Sequence, residues 1–314
     1  MSSAASVPQS GQPLTLFAPA KINLFLHVTG RRPDGYHLLE SVFSLIDWSD
    51  TIRLTKTSGP DLIREGDRLG EDAMDLAVRA GRALQAHPAW ERAGRPGAII
   101  EVQKQLPAGA GLGGGSSDAA SALLGLNRLW GLGLSREALA EIGLSLGADV
   151  PFFVFGETAF AKGIGEDLVP FALVPRWVLI AVPRTPVSTA AIFQDPELTR
   201  HSKPLKIADF AQAASDPIWR FGHNDLEPVT RRHFEDVDQV LKWLTATAVS
   251  EGIAPEAVRM SGSGGAVFCT AVDQSQAERM LHQMTSYQQS TAGQCLSRLK
   301  VCKTLAVHPE RPAG

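Results

Sequence analysis

Residues 106–120 read Leu106-Pro107-Ala108-Gly109-Ala110-Gly111-Leu112-Gly113-Gly114-Gly115-Ser116-Ser117-Asp118-Ala119-Ala120. Five glycines fall within the seven residues from Gly109 to Gly115, and two serines follow at once. Beyond them Leu123, Leu126 and Trp130 recur at i, i+3 and i+7. This spacing predicts a helix from about Ser117 to Trp130, with Ser116 or Ser117 as N-cap and Gly131 and Gly133 ending it. Glycine adopts positive φ freely and lets a ligand approach the main chain. A glycine-rich loop feeding a helix N-terminus aims backbone N–H groups and the positive end of the helix dipole at one point. That point suits a phosphate. A mere connection has no use for so many glycines, each of which costs conformational entropy.

The spacing separates this loop from other phosphate loops. A Walker loop requires G-x-x-x-x-G-K-[ST], and no lysine precedes Ser116 or Ser117. Gly109, Gly111 and Gly114 satisfy G-x-G-x-x-G, but a dinucleotide fingerprint wants the first glycine directly after a strand. Here Gln103-Lys104-Gln105-Leu106-Pro107 separate it from the strand expected at Ala98 to Val102. A protein-kinase loop calls for H-R-D and D-F-G downstream, and neither string occurs.

The chain has 314 residues, more than one hydrophobic core usually serves, which predicts two domains. At 44% hydrophobic residues it can build an interior, and no apolar run approaches the roughly 20 residues of a spanning helix. A net charge of −3 argues against a general nucleic-acid binder. Residues 1–12 are small and polar, lack the apolar core of a signal peptide, and read as a disordered tail. Cys269, Cys295 and Cys302 are odd in number and lack metal-like spacing. They read as free thiols of a cytoplasmic protein. Nothing points to a membrane or an obligate protein partner.

Leu14 to Val28 reads as extended. Ile22, Leu24, Leu26 and Val28 alternate with Lys21, Asn23, Phe25 and His27, which places an ammonium, an amide and an imidazole on one face. A solvated outer face would look the same. Pro33-Asp34-Gly35 is a turn, followed by Tyr36 and His37. Further extended stretches are expected at Ser41–Ile46 and Thr51–Thr57, and a helix at Asp75–Ala86. Ser135 caps another helix, which ends near Gly147. Asp149 then stands before the apolar run Val150–Phe155, and a plain turn aspartate before a buried strand is as good a reading of it as a functional carboxylate. A carboxylate there is costly to bury unless a cation sits close. A domain boundary is expected near Gly163–Phe171, giving 13–168 and 169–314. Trp177–Val182 is a strand, Ser188-Thr189 caps a short helix with Phe193, and 195–220 is loop-rich. A helix through Phe234, Val237, Leu241 and Leu244 follows. Strands at Val258–Met260 and Ala266–Val272, a helix at Gln274–Tyr287 and a strand at Leu299–Val307 complete an α+β pattern.

Three separated motifs now agree. Pro19-Ala20-Lys21-Ile22-Asn23-Leu24 with Asp34-Gly35-Tyr36-His37, the central loop, and Ser261-Gly262-Ser263-Gly264-Gly265 resemble the three motifs of the GHMP kinases. The strings Arg32-Pro-Asp-Gly-Tyr-His, Gly147-Ala-Asp-Val-Pro-Phe-Phe and Ile192-Phe-Gln-Asp-Pro-Glu-Leu narrow the resemblance. They are similar to the branch that phosphorylates a methylerythritol carrying a cytidine diphosphate, in the non-mevalonate isoprenoid pathway. The resemblance implies an N-terminal ribosomal-protein-S5-like domain, a C-terminal ferredoxin-like domain, and the active site between them. It also implies ATP-dependent transfer to the 2-hydroxyl of the methylerythritol unit.

By that resemblance Asp149 is the base that takes the hydroxyl proton, and Lys21 beside it steadies charge on the transferring group. Asn23 and His37 bind the substrate, Tyr36 and Phe193 sandwich the cytosine, and Thr189 belongs to the same site. Pro107, Gly109, Gly111, Leu112, Gly113, Gly114, Gly115, Ser116 and Ser117 wrap the ATP phosphates. Mg²⁺ is expected with ATP, with Ser116 or Ser117 the nearest hydroxyls and no carboxylate ligand assigned. Asp75 stands where close relatives carry an asparagine near the adenine nucleotide. Two alternatives are another GHMP kinase, acting on homoserine, mevalonate or a sugar, and a catalytically inactive nucleotide-binding regulator. Tyr36, His37 and Phe193 speak against the first, because those substrates offer no base to stack. Intact Lys21 and Asp149 speak against the second.

Overall fold

The structure, a computed structural model, describes residues 12–205 and 216–311. The tail read over 1–12 lies outside the described residues up to residue 11, as does 206–215 of the stretch read as loop-rich.

One long hairpin organises the N-terminal half. β1 (Leu14–Arg31) and β2 (His37–Thr57) pair antiparallel almost end to end, joined by the Pro33-Asp34-Gly35 turn. The two stretches expected at Ser41–Ile46 and Thr51–Thr57 are a single strand. The residues between them form a bulge, opposite the register shift at Pro19/Ala20, and do not turn the chain. The second edge of β2 carries three partners in succession. These are β5 (Ala159–Lys162) at Ser41–Phe43, β10 (Leu296–Leu305) at Leu45–Ile46, and β4 (Gly97–Gln103) at Thr51–Thr57. β3 (Leu62–Gly66) runs parallel to β4 at the edge. Through β10 the sheet continues antiparallel to β7 (Trp177–Pro183), β9 (Val267–Ala271) and β8 (Val258–Met260). β6 (Asp167–Pro170) pairs with β5, so the division expected at 168/169 falls inside a strand that belongs to the first half.

α1 (Leu76–Gln85) and α3 (Gly114–Trp130) cover the first half of the sheet over a core that includes Leu16, Leu54, Leu123, Leu126 and Phe152. Burying each such side chain contributes about 1.5–3 kcal/mol. Asp75 caps α1, accepting from Ala77 N and Val78 N, and its other oxygen pairs with Arg64 at 2.8 Å. That carboxylate is therefore committed to the helix end.

α3 starts three residues earlier than the sequence suggests. Its N-cap is Gly113 in the left-handed region, and both serines lie within the first turn. A glycine can enter the left-handed region without a Cβ clash, so the helix begins where the loop ends. Gly131 at φ +66 ends it as expected.

The apolar run after Asp149 is a helix, α5 (Val150–Phe155), and not a strand. Pro151 sits in its first turn, where a missing N–H is harmless, and Gly156 closes it at φ +78. α4 (Arg136–Leu144) precedes it, capped by Ser135.

In the C-terminal half α8 (Glu235–Ser250) and α9 (Gln274–Gln289) pack Val240, Leu244, Met280 and Met284 against Leu179, Val267 and Cys269 of β7 and β9. A third cluster joins the halves. It packs Ile22, Leu24 and Phe25 of β1 and Leu112 of the glycine loop against Val178, Ile180 and Phe268.

Candidate active site

The hairpin, the glycine loop, the start of α5 and the short helix α6 (Thr189–Gln194) enclose a cleft of about 880 Å³. Lys21, Asn23, Tyr36, His37, Pro107, Gly109, Gly111, Leu112, Gly113, Gly114, Gly115, Ser116, Asp149, Thr189 and Phe193 all line it. Ser117, expected among the phosphate-binding residues, does not. Its side chain is fully buried and donates to Pro19 O at 2.7 Å, which anchors α3 to β1. The earlier helix start turns Ser117 inward and leaves Ser116 on the cleft.

The loop runs through alternate left-handed glycines, with φ +65 at Gly109, +71 at Gly111 and +72 at Gly113. Two of these positions admit no side chain. A Cβ on Gly111 would lie 2.2 Å from Ser261 O, and one on Gly113 would lie 2.8 Å from the Phe153 ring. Hydrogen bonds seat the loop on both halves of the molecule. Lys21 N donates to Leu112 O (3.0 Å), Ala266 N to Ala110 O (2.8 Å), and Ser261 Oγ to Gly111 O (3.0 Å). The N-terminus of α3 opens directly from this loop, so its unpaired N–H groups face the cleft beside Ser116.

On the floor, Lys21 Nζ lies 3.5 Å from Asp149 Oδ2 and donates to Asn23 Oδ1 at 2.6 Å. It also stands 4.8 Å from the centre of the Phe43 ring. An ammonium only donates, so the Asn23 oxygen must face it and the Asn23 nitrogen must point away. That nitrogen donates to Ser41 Oγ at 3.0 Å, and Ser41 in turn to Phe25 O. Asn23 is 1% exposed. Its amide is engaged inside the protein at both ends, which makes it the residue that orients Lys21.

One wall carries the rings. His37 lies beside Phe193 with centroids 5.0 Å apart and planes at 33°. Tyr36, at the hairpin tip, is 58% exposed. Burial first, then the charges of Arg200 and Arg31, hold His37 below the usual imidazole pKa, so the ring is neutral near pH 7. Thr189 shares a hydrogen bond with Ser263 at 2.7 Å, joining α6 to the third motif.

This geometry has relatives. Residues 75–157 match the family model for the GHMP kinases N terminal domain, and residues 207–289 match that for GHMP kinases C terminal. A 4-diphosphocytidyl-2-C-methyl-D-erythritol kinase of Cupriavidus metallidurans is 48% identical, with 93% of each chain covered. The chain belongs to the GHMP kinase family. One from Burkholderia multivorans is 51% identical, with 83% of this chain and 86% of that protein covered. Among solved structures, a 4-(cytidine 5′-diphospho)-2C-methyl-D-erythritol kinase superposes with a TM-score of 0.74 at 32% identity, covering 93% of this chain and 99% of that one. A homoserine kinase from Cytophaga hutchinsonii shares the fold, with a TM-score of 0.68 at 16% identity over 97% and 98% of the chains.

Three further groups complete the site of this kinase. Ser261 ties the loop to β1, accepting from Asn23 N at 3.3 Å while it donates to Gly111 O. The third motif signalled this residue without giving it a role. Lys104 lines the cleft and bridges the buried carboxylates of Asp50 and Asp118, and Asp50 also accepts from Leu106 N at 2.8 Å. Burial pushes the Asp118 carboxyl up to about 7 against the pull of Lys104, with Asp50 adding to the rise. This cluster holds the start of the glycine loop in place. Arg200, bonded to His37, has no local signal in the sequence at all.

Proposed function

We propose that this kinase transfers the terminal phosphoryl group of ATP to the 2-hydroxyl of 4-(cytidine 5′-diphospho)-2-C-methyl-D-erythritol, in the non-mevalonate route to isoprenoid precursors. One observation carries the reading. A single cleft holds a glycine loop at a helix N-terminus, a lysine–aspartate pair, and a wall of two aromatic rings and a neutral imidazole. The names of relatives that match most of this chain agree with it.

In this reading backbone N–H groups of the loop and of α3 hold the ATP phosphates and stabilise charge as it moves onto their oxygens. Asp149 accepts the proton of the substrate 2-hydroxyl as that oxygen bonds to the terminal phosphorus. The bond from that phosphorus to the bridging oxygen breaks, and ADP leaves. The Lys21 ammonium lies beside the base and would stand next to the transferring group. Positioning and charge stabilisation supply most of the acceleration in such transfers. Mg²⁺ would neutralise phosphate charge when it arrives with ATP. Ser116 offers it a hydroxyl, and no group of three or more His, Cys, Asp or Glu among the described residues forms a separate metal site. Tyr36 and Phe193 would hold the cytosine. A homoserine or mevalonate substrate would leave that wall without a function.

We also place the enzyme in the cytoplasm. Cys269 and Cys302 are buried free thiols, as a reducing compartment would keep them. The direct test offers the purified protein ATP, Mg²⁺ and a panel of acceptors: the cytidine-diphosphate substrate, homoserine, mevalonate and galactose. ATP consumption is expected with the first alone. Turnover of any other acceptor at a comparable rate would overturn the assignment.

A further inference from the structure

Arg200 follows α6, and its guanidinium makes four hydrogen bonds. Nε donates to His37 Nε2 at 3.0 Å, Nη1 to Leu198 O at 3.0 Å, and Nη2 to Phe193 O at 3.1 Å and Asp195 O at 2.6 Å. A guanidinium has donors only and does not give up its proton in a folded protein. His37 Nε2 must therefore be the acceptor, which puts the ring proton of the neutral imidazole on Nδ1. Nδ1 makes no hydrogen bond to any described residue, and His37 lines the cleft. The polar atom that His37 has left for a ligand is a donor.

We propose that Arg200 fixes His37 in its Nδ1–H form and thereby makes this wall select a base that presents an acceptor, cytosine over uracil. The inference rests on reading the wall as a pyrimidine site. Cytosine carries two adjacent acceptors, N3 and O2, on one edge. Uracil has an N–H at position 3, which would face the imidazole donor to donor. A polar group buried against a like group loses its water and gains nothing in return. Without Arg200 the ring is free to move its proton to Nε2 and offer Nδ1 as an acceptor. The same guanidinium grips the carbonyls at and beyond the end of α6, where Phe193 sits against His37. The stacking ring and the reading atom are thus set by one residue.

Two measurements test this. The first is nitrogen-15 NMR of His37 in the wild-type protein without ligand at pH 7.5. Nε2 is expected at the frequency of an unprotonated imidazole nitrogen and Nδ1 at that of a protonated one. The reverse assignment would overturn the proposal. The second is calorimetric titration of CMP and UMP into wild type and Arg200→Met, with ATP titrated alongside. Wild type is expected to prefer CMP by at least about tenfold. Arg200→Met should lose most of that ratio while its ATP affinity stays unchanged. If both pyrimidines weaken equally and the ratio survives, Arg200 is only a loop anchor and this inference fails alone. If CMP does not bind wild type, the pyrimidine reading fails with it.

Discussion

Lys21 and Asp149 face each other at 3.5 Å on the cleft floor, the lysine side chain 4% exposed and the aspartate 33%. The lysine is held from behind by Asn23, while the aspartate keeps an open side toward the cleft. That asymmetry suits a fixed cation beside a base that must still meet a substrate proton. Asp149→Asn keeps the volume but cannot take the proton, so kcat should fall by about 10²–10⁴ with ATP and acceptor still binding. Lys21→Met should also lower kcat sharply. The double variant should lose much less than the product of the two, since the residues act as one unit. A near-normal kcat in folded Asp149→Asn would leave positioning as the whole of catalysis.

The glycine loop separates affinity from stability at two positions. Any side chain at Gly113 meets the Phe153 ring at a φ of +72, so Gly113→Ala should lower Tm as well as nucleotide affinity. Gly115 lies in the first turn of α3 with an ordinary φ. A Cβ there touches only the end of the Leu76 side chain, at 3.3 Å. Gly115→Val should therefore keep Tm within a few degrees yet weaken ATP binding by about tenfold, the loss of about one charge-assisted hydrogen bond. Unchanged ATP affinity in that variant would place the phosphates elsewhere.

What the sequence made legible here was local. The glycine cluster, the Pro-Asp-Gly turn and the Ser135 and Ser188 caps each depend on residues a few positions apart, and each appears where expected. The misreadings had local causes too. Serine is the usual N-cap, yet a left-handed Gly113 takes that place and sends Ser117 inward. An apolar hexamer has no period long enough to tell helix from buried strand. The contacts that finish the site were out of reach: Arg200 meets His37 across 163 residues, and Asn23 meets Ser261 across 238. His27 shows the limit of alternation. The register shift between Asn23 and Leu26 breaks the face it would have shared with Lys21 and Asn23, so Leu26 lines the cleft and His27 packs against His223, with ring centroids 4.5 Å apart.

Phe193 and Tyr36 differ in how much each should lose. Phe193 already packs on His37 without a ligand, whereas Tyr36 is mostly exposed. Each alanine substitution should weaken CMP binding by about 1–3 kcal/mol, the range for a base stacked on an aromatic ring. Phe193→Ala should also disturb His37 and so stand at the upper end. ATP affinity should not change in either variant. Parallel losses of CMP and ATP in a titration would remove these rings from an acceptor site.

His308 links stability to pH at the far end of α5, the helix that follows Asp149. The last turn of α5 is held by Arg136 on Val154 O, Arg311 on Phe155 O at 2.9 Å, and His308 N on Gly156 O at 2.7 Å. The His308 ring is fully buried. Its Nδ1 accepts from Glu310 N at 3.1 Å, and its Nε2 has no partner. Burial first, and the Arg136 charge second, hold its pKa down to about 4. In the unfolded chain the same ring titrates near about 6.5. Between those values the unfolded state binds the extra proton. Stability is therefore complete above about pH 6.5 and falls as pH drops toward about 4. From pH 6.5 to 5 this costs on the order of 2 kcal/mol. His308→Asn keeps an acceptor for Glu310 N and removes the titration. Its Tm should consequently drop less than that of wild type between pH 7 and pH 5, by roughly 4 °C. Equal drops in the two proteins would show that the buried ring is already protonated in the fold or that α5 does not depend on it.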